Sequence, residues 1–162
     1  MTTIEKRDSI TIDASAESLW RILADQFVDI SQWASGVLSS KPNPEAPIGP
    51  DGSPTGGRVC DVKGVGLTDE RIVAFDPERG IIGYSITAKG LPSFVTSMSN
   101  TWTVKAKGPG RALVSMRIEA TTAGLMGAVG SVPMRRMFAK SAAGMLNDLK
   151  THAEAPAEMP TS

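Results

Sequence analysis

A chain of 162 residues, 41% hydrophobic and 21% charged, has the composition of one globular domain and excludes a wholly disordered polymer. Lys plus Arg and Asp plus Glu balance at 17 each, so no bulk basic field exists to gather nucleic acid. One cysteine, Cys60, and one histidine, His152, exclude an internal disulfide, a Cys–His or Ser–His–Asp arrangement with a plausible partner, and a His-rich or Cys-rich metal centre.

Residues 4–12 end in Ser9-Ile10-Thr11-Ile12, the apolar–polar alternation of a strand. Asp13-Ala14-Ser15 then starts a helix: Ser15 caps it, and Glu17 sits near the positive end of its dipole. Leu19, Trp20, Leu23 and Phe27 at helical spacing carry it over residues 16–26, and a second short helix or turn is expected around Asp29 to Trp33. From Lys41 to Gly57, prolines 42, 44, 47, 50 and 54 alternate with glycines 49, 52, 56 and 57, which sustains neither a helix nor a central strand. The segment reads as a long loop between strands, either a plain surface connection or a flap beside a pocket mouth.

Strand-like segments follow over 57–63, 67–76, 80–88, 95–105 and 111–122, separated by short Gly- and Pro-containing turns. Such turns join sequential antiparallel strands rather than parallel ones. The period then changes. Met134, Phe138, Ser141, Met145 and Leu149 fall on one helical face, flanked by Met137 and Ala142, with Arg136, Lys140, Asn147, Lys150 and Glu154 opposite. This is an amphipathic helix of about five turns or more. Pro133 either begins it or kinks an extension back toward Leu125, and the glycines at 124, 127 and 130 make that extension a frayed start or a hinge. Residues 155–162 lack periodicity and are expected to be a disordered tail behind a domain spanning 1–154.

This order of elements resembles the START-like (SRPBCC, polyketide cyclase-dehydratase) superfamily. Ile12-Asp13-Ala14-Ser15-Ala16-Glu17-Ser18-Leu19-Trp20 is similar to its strand-to-helix entry. Gly57-Arg58-Val59, Thr68-Asp69-Glu70-Arg71-Ile72, Phe75-Asp76-Pro77 and Tyr84-Ser85-Ile86 resemble its middle strands, and Leu146-Asn147-Asp148-Leu149-Lys150 its helix end. The resemblance implies an α+β helix-grip fold. In it a curved antiparallel sheet of roughly six to seven strands wraps a long C-terminal helix, with one or two short helices after the first strand. It also implies an apolar pocket between sheet and helix, but not a reaction, because one fold hosts many functions.

Alternation then assigns side chains to that concavity. Thr96, Met98, Asn100, Trp102 and Val104 share one face; Val114, Met116, Ile118 and Ala120 form a second row, and Ile82, Tyr84, Ile86 and Ala88 a third. Methionines 98, 116, 126, 134, 137 and 145 concentrate in the late strands and final helix, which fits either ordinary core packing or a deformable apolar lining. Glu70 shares a face with Ile72 and Ala74, although the opposite register would turn Asp69 and Arg71 inward instead. The expected ligand-binding set is Trp33, Glu70, Ile72, Tyr84, Ile86, Met98, Asn100, Trp102, Met116, Ile118, Met134, Phe138 and Met145. Trp33 either flanks the entrance or packs as plain core, and Tyr84, Glu70 and Asn100 are the candidates for proton handling.

Three readings follow. The first is a module that binds a small hydrophobic molecule of lipid, polyketide or aromatic type. The second is an enzyme similar to polyketide aromatase/cyclases, in which orientation supplies much of the rate. The third is a protein-interaction domain using the exposed helix face and the Pro-rich loop. No cofactor and no metal are expected, and the partner is a small hydrophobic molecule rather than nucleic acid. The charged start and the lack of an apolar run of ~20 residues lead to an expectation of a cytoplasmic protein without stable membrane insertion, and a monomer or homodimer is expected.

Overall fold

Seven strands form one antiparallel sheet in the order β1-β7-β6-β5-β4-β3-β2. They are β1 (Thr2–Ile12), β2 (Val37–Pro42), β3 (Gly57–Val62), β4 (Gly66–Asp76), β5 (Ile81–Ala88), β6 (Val95–Ala106) and β7 (Ala112–Thr122). The computed structural model describes residues 1–156. The expected disorder of the tail therefore falls largely on residues, 157–162, that lie outside the described ones. β2 through β7 run as a meander, and β1 returns to pair with β7 from Thr2↔Thr122 to Ile12↔Ala112.

Helical insertions separate β1 from β2. α1 (Ala16–Trp20) is capped as expected, with the Ser15 side chain accepting from the Ser18 N–H at 3.1 Å. The chain continues as a π-helical turn (Arg21–Asp25), closed by the Gln26 N–H donating to the Arg21 carbonyl at 2.8 Å, and then as a 3₁₀ helix (Phe27–Gln32). The second helix therefore starts two residues earlier than its spacing predicts and leaves Trp33 just beyond its end. β2 begins within sequence that carries no strong strand signal. The Pro/Gly loop is accordingly 43–56, tied to β4 by the Asn43 amide donating to Asp69 at 2.9 Å and the Ile72 N–H donating to the Gly56 carbonyl at 2.9 Å. Gly57 opens β3 where a Cβ would stand 2.2 Å from the Glu70 carbonyl oxygen, so the two strands approach this closely only with glycine there.

α2 (Gly124–Glu154) runs 31 residues with Pro133 inside it, so the extension back toward Leu125 is helical. It packs chiefly on β1 and β7. Its buried residues are Gly127, Met134, Phe138, Ala142, Leu146 and Leu149. The stripe read from sequence is thus rotated: Ser141 is exposed, Met145 is half-buried, and Met137 faces outward. At about 100° per residue the buried arc centres near Ala142 and Leu149, which carries Ser141 past its edge. Met126 is exposed as well, so the methionines that contribute to the interior are Met98, Met116, Met134 and Met145.

Two bulges adjust the inward rows. A register shift between Ile72 and Ala74 turns Ala74 outward and brings Phe75 in, 5.6 Å from the Trp20 ring. A second shift between Val95 and Ser97 leaves Thr96 exposed, its hydroxyl donating to the Thr121 carbonyl. Ala74 and Thr96 therefore drop out of the faces that strict alternation assigns them, because a bulge inserts one residue and reverses the parity beyond it. No helix of the described residues is long and apolar enough to cross a membrane.

Candidate functional site

The register of the middle strands brings polar and apolar side chains together on the concave face. Across β3, β4 and β5, Arg58 stands opposite Glu70, which stands opposite Ile86. One step along, Ile72, Tyr84, Asn100 and Ile118 form a row over β4 to β7, and Ile82, Trp102 and Met116 lie in the next. Glu70 therefore faces inward, and the rival register, with Asp69 and Arg71 inside, is excluded: Arg71 is exposed and paired with Asp69 on the outer face.

Arg58 is the organising residue. It is 3% exposed and its Nε donates to Glu70 Oε2 at 2.6 Å, while Nη1 donates to the Phe27 carbonyl at 2.7 Å. The second Glu70 oxygen accepts from the Thr68 hydroxyl at 3.1 Å. The guanidinium lies over two aromatic rings that meet edge-on, 3.9 Å from the Phe27 ring centroid and 4.7 Å from that of Tyr84. Both carboxylate oxygens are thus engaged, which removes Glu70 as a free general base and leaves it as the counterion that holds Arg58 in place.

Burial opposes the charge on Arg58, but Glu70, Tyr84 and Cys60 nearby raise its pKa above the ordinary guanidinium value. Burial pushes the Cys60 thiol up to about 12, with Glu70 adding to the shift and Arg58 opposing it. Burial likewise raises Tyr84, with Arg58 pulling the other way. The Tyr84 hydroxyl remains protonated at neutral pH and can serve as a hydrogen-bond donor or acid, not as a phenolate.

Tyr84 Oη sits 3.3 Å from both Asn100 Nδ2 and Trp102 Nε1, each donating to it. Asn100 is 7% exposed, and its Oδ1 has no hydrogen-bond partner. A buried carbonyl without a donor is costly.

The sequence-derived set distributes as follows. Tyr84, Glu70, Asn100 and Trp102 come together around Arg58. Ile72, Ile86, Met116, Ile118, Met134 and Phe138 belong to the contiguous apolar core that includes Tyr84 and Trp102. Trp33, Met98 and Met145 are half-buried at its margin, with Trp33 edge-on to Trp102 at 6.1 Å. Trp33 and Met145 also touch the smaller cluster of Ile30, Ala34 and Cys60. Arg58, Thr68, Phe27 and Cys60 were absent from the set. A pairing signal for Arg58 does exist: alternation in β3 puts Arg58 and Cys60 on one face, and a buried arginine demands an opposite charge on the neighbouring strand.

Clefts of about 570, 540 and 610 Å³ open elsewhere. They lie between α1 and the Pro77–Gly80 turn, on the surface formed by β1, β6 and β7, and beside Val65 and Gly90. Among the described residues, no three His, Cys, Asp or Glu side chains gather as a metal site.

A family model for polyketide cyclase / dehydrase and lipid transport matches residues 3–154. Among solved structures, the protein XoxI from Bacillus cereus is 20% identical with a TM-score of 0.72, over 93% of this chain and 95% of that one. The Zhui aromatase/cyclase from Streptomyces sp. R1128 is 17% identical with a TM-score of 0.72, over 94% of each chain. Norcoclaurine synthase from Thalictrum flavum, in truncated form, is 16% identical with a TM-score of 0.68, over 96% of each. At these identities the likeness is one of fold. No curated protein matches the chain in sequence.

Proposed function

The chain belongs to the polyketide cyclase / dehydrase and lipid transport family, and from that premise we propose that it binds a small hydrophobic molecule between the sheet and α2. The ligand class is lipid, polyketide or aromatic, with at least one hydrogen-bond donor. One observation carries the reading: Asn100, whose Nδ2 donates to the Tyr84 hydroxyl, keeps a buried and unpartnered Oδ1 on the concave face, among the apolar cluster that includes Trp102, Ile118, Met116 and Phe138. An apolar lining with a few convergent polar groups is the usual build of a small-molecule site.

The inner side chains pack closely in this state, so entry requires the half-buried margin to give way. Trp33, Met98 and Met145 form that margin, and the unbranched methionines repack at low cost. α2 is fastened mainly to β1 and β7, which leaves its contacts over β4 and β5 the weaker ones. The protein is proposed to act in the cytoplasm, as a monomer or homodimer.

Binding is tested by native mass spectrometry of the purified protein and by tryptophan fluorescence titration with fatty acids, polycyclic aromatics and phenolic polyketides. Saturable quenching is expected, weakened about tenfold by Asn100→Leu if one hydrogen bond to a buried acceptor is lost. Absence of any co-purified or titrated ligand across that panel would sink the reading.

A cyclase-like enzyme is the second reading, favoured by one further observation. The Tyr84 ring lies against a fixed guanidinium, and burial keeps its hydroxyl protonated. That makes Tyr84 an acid poised beside a positive charge, the pairing that a developing enolate oxygen requires. Turnover of a reactive polyketide chain that falls sharply in Tyr84→Phe while binding persists would separate this reading from simple carriage.

A further inference from the structure

The N-terminal half of α2 carries an apolar stripe on the side opposite its packed face. Leu125 and Val129 are 86% and 74% exposed, and Val132, Met126 and Met137 are also exposed. At about 100° per residue, Leu125, Val129 and Val132 fall within one arc of about 60°. The inner side of the same turns is fixed, because Gly127 packs against Thr122, Gly130 lies against the Phe94 ring, and Met134 is buried. The stripe therefore cannot rotate inward without breaking those contacts. Exposed apolar residues clustered on one helix face mark a contact surface.

Charge identifies what the surface fits. The line of the stripe continues into Arg136 and Lys140, with Arg135 beside it, all three exposed. From Ala120 through Asn147 the chain has no acidic residue. A second copy is a poor occupant, since parallel stacking opposes the arginines and antiparallel stacking sets them on the partner's apolar turns. An anionic bilayer surface satisfies both parts. Its acyl boundary takes the leucine and valines, and its headgroups take the basic cluster.

We infer that the Leu125–Lys140 face of α2 docks the protein on anionic lipid bilayers, lying in the interface rather than crossing it. The contact is independent of what the concave site binds, and it places the start of the helix that closes that site at the membrane surface.

The test is flotation with vesicles of phosphatidylcholine alone and of equimolar phosphatidylcholine and phosphatidylserine. Binding is expected to the second only, and to weaken as salt rises. Leu125→Asp with Val129→Asp lowers the partition coefficient roughly tenfold or more. Arg135→Gln and Arg136→Gln each lower it about fivefold. Circular dichroism establishes that the variants are folded, and the arginine pair serves as the test if the aspartate pair is not. Ser141→Ala, exposed on α2 but off the stripe, leaves vesicle binding at the wild-type level. Failure to float with either vesicle, equal partition into both, or a dimer dissociated by Leu125→Asp without vesicle binding would overturn the inference.

Discussion

Arg58 holds Phe27 twice: its Nη1 bonds the Phe27 carbonyl at 2.7 Å while its guanidinium covers the same residue's ring at 3.9 Å. One side chain from the sheet thus fixes both the backbone and the side chain of the 3₁₀ helix that carries it. The polar centre of the concavity and the helical insertion at its margin form one mechanical unit.

Removing Arg58 should therefore be costly. Arg58→Ala strands a buried carboxylate on Glu70 and releases Phe27, a loss of about 3–5 kcal/mol by urea denaturation. Replacing both partners at once, as Arg58→Met with Glu70→Leu, should recover much of that stability, because no unpaired charge remains. A double variant no more stable than Arg58→Ala would show that the Phe27 contacts, not the ion pair, dominate.

Alkaline pH should destabilise the fold, and Cys60 gives the window. Its folded thiol titrates at about 12 against an ordinary 9.0. Between those values the folded state retains a proton that the unfolded state has released, so stability falls as pH rises through that range. Tyr84, also raised, adds to the fall above its ordinary value of 10.0. Urea midpoints measured from pH 8 upward should decline less steeply in Cys60→Ala. Wild-type Cys60 should also react with iodoacetamide far more slowly than denatured protein at pH 8.

Tyr84→Phe removes the oxygen that both Asn100 Nδ2 and Trp102 Nε1 donate to. Two buried donors are left without their acceptor, at a cost of about 1–3 kcal/mol each if no water enters. Trp102 is the optical reporter: its emission should shift in the variant, and an unchanged spectrum with unchanged stability would show that neither bond contributes.

The rotated face of α2 makes a paired prediction. Phe138→Ala should cost about 3–5 kcal/mol as a large-to-small change in the core. Ser141→Ala, at a position that sequence periodicity placed inside, should alter stability by less than about 0.5 kcal/mol. Thermal denaturation of the two variants distinguishes the buried arc from the one that spacing alone suggests.

Strict alternation was enough to place Tyr84, Trp102, Met116 and Ile118, because β5, β6 and β7 run without interruption through those positions. It failed at Ala74 and Thr96, where bulges reverse the parity and no residue type announces them. Arg58 escaped for a different reason. A charged residue in a short strand reads as solvent-facing until its partner across the sheet is known, and the Glu70 register was itself open. The concave cluster therefore becomes visible only when two strands are placed side by side, whereas the helix, the meander and their order follow from local pattern.

The pairing of β1 with β7 has a consequence for how the chain reaches its native state. Ile4 and Ile12 are wholly buried, yet their partners Ala120 and Ala112 lie about a hundred residues away. On emerging from the ribosome, β1 must wait for β7 before it gains a neighbour, and α2, which packs on both, arrives later still. Folding should be slow and dominated by distant contacts, with an exposed apolar edge persisting throughout synthesis. A chain stopped short of Ala112 would retain every residue of the Arg58–Tyr84 cluster and lack the strand against which its own beginning folds.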